Sequence, residues 1–417
     1  MVAAPVIYED HGWSSLLPLT YSRSTMQLTC GSRSLLDRLA RLAAPAGLWC
    51  RAELATLVAE QTGLVVNRPV AAPALFLNGR GIWWQLPEHA ADEVPWVGTI
   101  GGSDRVGGRV VCLFADAELT ASLTPEALAD PTRLDELVGG CNRRDVTGCV
   151  DMIDWPWQLV GANRRCLLAD WEAAGAGRSR TGQVDGGAHL LAPDAISLGA
   201  GSRVKPGAVI DAELGPVIID DRVTVMPHAY IQGPCAIGND ALVQPGTVVH
   251  EDTAIGAHCK IGGEIEASII QAFSNKQHDG FLGHSYVGSW VNIGADAVTS
   301  DLKNTYGTVR VPINGRAVDS GELFLGSIIG DHGKIGIGVN LPTGAVVGFA
   351  SNVLVTRCPA FVPSFSWLDG GGGACDLDRA VAVAMRMMQR RGQRLSAAEE
   401  EVFRAIPELA TELEQPA

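Results

Sequence analysis

Residues 274–288 read SNKQHDGFLGHSYVG and concentrate side chains able to do proton chemistry. Asn275, Lys276, Gln277, His278, Asp279 and His284 fall within a region otherwise rich in glycine and valine. A second polar group follows at Asp301, Lys303 and Asn304. A neutral imidazole near its operating pKa can take the proton from an attacking amine or hydroxyl, so these residues suit general-base catalysis. His278 is the favoured base, because its neighbours Asn275, Lys276 and Asp279 are all polar. Metal ligation is the competing chemistry. The spacing of His278 and His284 puts them on adjacent faces of one coil, so a shared metal would need a subunit interface. On the residues alone, a solvated coil corner or a satisfied structural histidine accounts for His284, His228, His250 and His258.

The element that must position these residues is visible as a period of six. Ile219, Val225, Ile231, Ile237, Val243, Val249, Ile255 and Ile261 follow one another at that interval. Leu198, Val204 and Ile210 precede them, and Ile329, Ile335, Leu341, Val347 and Val353 resume the run. A helix would smear this spacing around its circumference. Short parallel strands joined by sharp corners satisfy it, three hexapeptides to a triangular coil. Glycine and small polar residues are expected at the corners. The interval from Ile261 to Val287 is not a multiple of six, so the coil is expected to be interrupted there, where the chemistry sits.

Composition agrees. Of 417 residues 49 are glycine; apolar residues make up 47% and aromatics only 6%, as a thin Val/Ile core requires. Such a composition excludes disorder. A net charge of −14 excludes a nucleic-acid binder. The only lysines are Lys205, Lys260, Lys276, Lys303 and Lys334. Ten cysteines without a CxxC pair point to buried, reduced thiols in a cytoplasmic protein. The opening MVAAPVIYED lacks the pattern of a signal peptide, and no apolar run suits a bilayer span, so no membrane partner is expected.

QHDGFLGHSYVG followed by WVNIGADAVTSDLKN resembles the hexapeptide acyltransferase half of the bifunctional GlmU type, glucosamine-1-phosphate N-acetyltransferase fused to N-acetylglucosamine-1-phosphate uridyltransferase. It is similar above all to a GlmU-like bacterial branch carrying SNKxHDGFLGH and a later P-S-F-S-W, here Pro363–Trp367. The resemblance implies a left-handed parallel β-helix and acetyl-CoA-dependent N-acetyl transfer to an amino sugar phosphate in UDP-N-acetylglucosamine biosynthesis. It also implies a homotrimer with sites between coils. His278 would be catalytic. Asn275, Lys276, Asp279, Phe281, His284, Asp301, Lys303 and Asn304 would contact substrate. Gly326, Ser327, Lys334 and Gly348 would hold acyl-CoA. The bifunctional enzymes carry their base one coil earlier, where this chain has Ala254. It also has Phe281 for their sugar-contacting Tyr and Asp301 for an Asn.

Residues 1–185 read as an α/β domain. Strands are expected at 6–10, 64–67, 74–84 and 109–115, and amphipathic helices at 32–44 and 51–61, in a doubly wound sheet. LLPLTYSR, ending at Arg23, occupies the place of a phosphate loop and resembles the PLT-x-x-R form of the same branch. That implies a nucleotide site at Thr20, Arg23, Asn78, Gly79 and Arg80, with Mg²⁺ where this half transfers a nucleotidyl group from an NTP. The domain has no lysine, so any phosphate must meet arginine. Pro156-Trp157 opens a bridging helix whose Trp pair packs the domains together, and 174–187 is the expected hinge. The β-helix is expected over 186–358 and a helical tail over 359–417, with Ser396 and Glu399 as a capping box and the tail covering the solenoid's open end. Two other functions fit the sequence: a β-helical metalloenzyme of carbonic-anhydrase type, and a non-catalytic sugar-nucleotide-binding protein.

Overall fold

The computed structural model describes residues 4–88, 94–101, 108–175, 180–371 and 373–414. Of the expected hinge, residues 176–179 lie outside them, as does Gly372 of the glycine run before the tail.

The N-terminal sheet uses β1 (Val6–Tyr8), β2 (Gly47–Trp49), β3 (Ala74–Asn78), β4 (Trp96–Ile100), β5 (Arg109–Ala115) and β6 (Asn142–Asp145). Their order is β2-β1-β3-β5-β4-β6. The sheet is mixed, because β5 runs antiparallel to both β3 and β4. The strand expected at 64–67 reduces to a single bridge, Leu48 to Val66, because the chain turns at Asn67 with φ 50°. Helix α1 (Leu35–Leu42) starts at a Ser34–Asp37 capping box, and α2 is Ala55–Thr62.

From Gln183 onward the chain winds as a parallel β-solenoid with three faces. Its ruler residues stack in register. Leu198, Ile219, Ile237, Ile255, Ile270, Val287, Ile329, Val347 and Val362 form one inward column. The glycine after a ruler residue is needed for coil-to-coil approach rather than for backbone freedom. A Cβ on Gly256 would lie 2.5 Å from the Ala272 nitrogen, and one on Gly348 2.3 Å from the Ser364 nitrogen.

Two expectations change here. The left-handed corners are not reserved for small residues: Asp240, His258, Phe273, Trp290 and His332 all have φ near +60°. Left-handed backbone costs about 1–2 kcal/mol for such residues, and stacking along the corner offsets it. His258, Phe273 and Trp290 have successive ring centroids 4.5 and 4.3 Å apart. The coil also runs unbroken from Ile261 to Val287. Ile265, Ile270, Lys276 and Leu282 occupy the inward positions, and shortened corners absorb the irregular spacing. The real departure spans 300–327, which carries a hairpin of Arg310–Ile313 with Arg316–Asp319.

Lys276 thus stands in the column of Val225, Val243 and Ile261 and is 2% exposed. Its Nζ donates to the carbonyls of Gly262 and His278 at 3.1 and 2.9 Å. Burial lowers its pKa from 10.5 to about 8. The unfolded chain therefore binds more protons between those values, and stability rises with pH across that window. Denaturation at about pH 8 and about pH 10 should show this rise weakened in Lys276→Met. Equal pH slopes in the two proteins would contradict the buried placement.

Helix α3 (Pro156–Ala174) lies between sheet and solenoid. Its Trp157 is buried with Leu16, Leu19, Tyr286 and Ile328, and stacks on Trp155 with centroids 5.3 Å apart. The tail forms α4 (Leu377–Gln389) and α5 (Ala397–Leu413), the latter with the Ser396–Glu399 box. Rather than covering the solenoid's end, it packs sideways. Phe403 meets Phe349, Phe365 and His332, and Glu414 accepts from Tyr21 Oη at 2.8 Å and from the Ser364 backbone at 2.8 Å. No disulfide joins the ten cysteines. No helix among the described residues is long and apolar enough to cross a membrane.

Candidate active site

The departure at 300–327 builds a site beside His284. Strand Val298–Thr299 delivers Asp301 to the coil above His284, whose Nδ1 lies 2.8 Å from Asp301 Oδ2. Between a neutral imidazole and an ionised carboxylate the nitrogen must donate, and that tautomer leaves the lone pair on Nε2. The loop returns along itself. Leu302 bridges Phe324, and the Leu325 nitrogen donates to the Asp301 carbonyl at 2.8 Å. This sets the Phe324 ring on the imidazole, centroids 5.3 Å apart. His284 and Asp301 side chains are 24% and 16% exposed, so the dyad is sheltered but reachable.

Gly283 makes room for the pair. A Cβ there would lie 2.5 Å from Asp301 Oδ2 and 2.5 Å from the Phe281 ring. Both neighbours are side-chain ends, so Gly283→Ala should fold and displace the carboxylate. We expect it to lose roughly 10–100-fold in turnover with little change in unfolding midpoint. Unchanged turnover would show that Asp301 placement does not matter.

The other residues singled out by sequence are dispersed. His278 lies on a different corner, exposed, its Nε2 3.3 Å from Gln277 Nε2. Asp279 and Asn304 are exposed. Asn275 accepts from Arg391 at 3.0 Å, and Lys303 donates to the Thr308 carbonyl at 2.8 Å. Of the residues expected to hold acyl-CoA, Gly326, Ser327 and Lys334 are packed into the solenoid. A Cβ on Gly326 would lie 1.9 Å from the Gly283 carbonyl oxygen, and Ser327 is fully buried, its nitrogen donating to Ser285 Oγ at 2.8 Å. Lys334 donates to the His332 carbonyl, and burial lowers its pKa to about 8.

The nucleotide residues are engaged by the protein itself. Thr20 is buried and donates to the Trp13 carbonyl at 2.8 Å. Arg23 pairs with Asp331 and bonds Gln271, both on the solenoid. Arg80 is 1% exposed, bonding both Asp10 oxygens at 2.6 and 2.7 Å and Asp154 at 2.6 Å. Asn78 donates to the same Asp10 at 2.8 Å, and Gly79 packs on Met26 and Ile7. Arg51, unremarked in the sequence, pins the loop. It pairs with Glu9 at 3.1 Å, donates to the carbonyls of Thr20 and Arg23, and covers the Trp13 ring. The carboxylates best placed to hold Mg²⁺, Asp10 and Asp154, are bound by Arg80, so they do not fit an ion in this arrangement. Among the described residues no group of three or more His, Cys, Asp or Glu could hold a metal.

Comparison with known proteins follows the same division. A sugar nucleotidyl transferase family model matches residues 5–179, and a bacterial transferase hexapeptide model of six repeats matches 216–251. The bifunctional protein GlmU of Azorhizobium caulinodans is 31% identical over 150 residues, covering 34% of this chain and 33% of that protein. The GlmU of Heliobacterium modesticaldum is 28% identical over 218 residues, covering 45% and 47%. A bifunctional sugar-1-phosphate nucleotidylyltransferase/acetyltransferase of Sulfurisphaera tokodaii is 31% identical over 140 residues, covering 32% and 34%. The chain thus spans between a third and a half of the length of these relatives.

Proposed function

The chain belongs to a GlmU-like family, a sugar-nucleotidyl-transferase-type domain joined to hexapeptide repeats, and from that premise we propose that it transfers an acetyl group from acetyl-CoA to the amine of an amino sugar phosphate. The observation that carries this reading is the 2.8 Å contact between His284 and Asp301. Asp301 holds the imidazole in the tautomer whose Nε2 accepts a proton. As the amine attacks the thioester carbonyl, Nε2 takes its proton. The tetrahedral intermediate then collapses to the amide and expels the CoA thiolate, which is protonated to the free thiol. The base is therefore His284 rather than His278.

The remaining assignments follow from this centre. Tyr306, Phe324 and Leu323, which are 73%, 45% and 41% exposed, lie on the departure that carries Asp301. A second copy in a homotrimer would cover them and complete the site between subunits. Lys303 and Asn304, on the same loop, would meet the acceptor. Arg23 and Arg80 are engaged by Asp331, Asp10 and Asp154, so nucleotidyl transfer in the N-terminal domain would require those pairs to open for a phosphate.

The test is product release with acetyl-CoA and amino sugar phosphates, alongside pyrophosphate release with NTPs and a sugar 1-phosphate. Free CoA appearing only with a phosphorylated amino sugar is expected. Pyrophosphate without CoA would overturn the reading.

A further inference from the structure

The aromatic corner column borders a cavity that acyl transfer does not use. Beyond Phe273 and Trp290 the column continues to His332, 6.4 Å from Trp290 and nearly parallel to it. Facing it is the 390–396 link between α4 and α5, and Ser22, Arg23 and Gln27 of the N-terminal domain close one end. The space is about 440 Å³, and an adjoining groove of about 230 Å³ shares Phe273 and Trp290.

Its polar groups are unevenly satisfied. Asp331 is taken by Arg23, Ser22 and the Ser289 nitrogen. Glu60 accepts from Ser396 Oγ at 3.0 Å, and Glu399 from the Ser396 nitrogen at 2.9 Å. By contrast His332, 7% exposed, has no partner for Nδ1, and Arg23 has none for Nε. Burial and then Lys334 lower the His332 pKa to about 3, so the ring is neutral. At the mouth, Arg391 anchors the link on Asn275 and the His258 carbonyl. Among the described residues, no ion pair or hydrogen bond engages the side chains of Lys260, Arg390 or Arg394. Arg394 thus lines the cavity, and Lys260 and Arg390 line the adjoining groove, three uncommitted cations on a chain of net charge −14 that favour an anion there.

We propose that this cavity and its adjoining groove bind a phosphate-bearing organic anion, with the phosphate drawn to the cations along them, Lys260 and Arg390 in the groove and Arg394 in the cavity, and the body against the shared Trp290 and Phe273, hydrogen-bonded to His332. Arginine forks suit phosphate, and the aromatic wall suits a sugar or base ring. The ligand would bridge all three parts of the chain. The inference stands apart from the acyl-transfer site.

Calorimetric titration of the full chain tests it, using glucose 1-phosphate, UDP, adenosine 3′,5′-bisphosphate and inorganic phosphate separately. At least one organic probe should bind roughly tenfold tighter than inorganic phosphate, and which one does identifies the body of the ligand. The exposed double variant Arg390→Gln/Arg394→Gln should weaken it roughly tenfold or more, and His284→Ala should leave it unchanged. Three outcomes would overturn the proposal: no organic probe binding at millimolar concentration, organic probes binding no better than phosphate, or binding lost with His284→Ala but kept in the double variant.

Discussion

His284→Ala should lower acetyl transfer roughly 10²–10⁴-fold while leaving the fold intact. The magnitude is that of removing a positioned general base. The ring is partly exposed and packs on Phe324, so truncation removes a surface contact rather than a core residue. Asp301→Asn should cost less, roughly 10–100-fold, since it leaves a base but no longer selects its tautomer. The two losses should not add, because Asp301 acts only through His284. Steady-state CoA release at saturating acetyl-CoA measures all three variants. If His284→Ala and the double variant differ by the full Asp301→Asn loss, the residues work independently and the dyad is not one unit.

Arg80→Ala should destabilise the N-terminal domain by about 3–5 kcal/mol, the range for stripping one partner from a buried pair. Asp10 would keep Asn78, the Gly12 nitrogen and the more distant Arg109 at 3.7 Å, but lose both Arg80 guanidinium bonds while still buried. Asp154 can turn to solvent and keeps Arg109, at 2.5 Å, so the cost falls on Asp10. Denaturant unfolding followed in the N-terminal domain reads this directly. A residue used for nucleotide binding would behave otherwise, raising the KM for an NTP with little loss of stability.

The ruler made the solenoid readable, because each inward residue is set by a local spacing that repeats. The Ser396 cap and the strand at Arg109–Ala115 were readable for the same reason. What sequence could not deliver is contact between coils. His284 and Asp301 are 17 positions apart, and only the stacking of Phe281–Gly283 under Val298–Thr299, with the 300–327 loop folded back, brings them together. The spacing argument that placed an interruption before Val287 failed because shortened corners keep strands in register without keeping the count. Likewise Arg23 ends a stretch resembling a phosphate loop, but its partner Asp331 lies 308 positions away. Lysine scarcity was visible, yet its meaning changed. Lys276 and Lys334 donate to backbone carbonyls inside the solenoid, and Lys260 faces the groove under the tail.

The central claim is that the oriented imidazole of His284, and not the exposed one of His278, takes the amine proton. Initial rates of CoA release for His284→Ala and His278→Ala, measured side by side with acetyl-CoA and glucosamine 1-phosphate, test it. The account predicts near wild-type rates for His278→Ala and a loss of roughly 10²-fold or more for His284→Ala. The reverse order would contradict it.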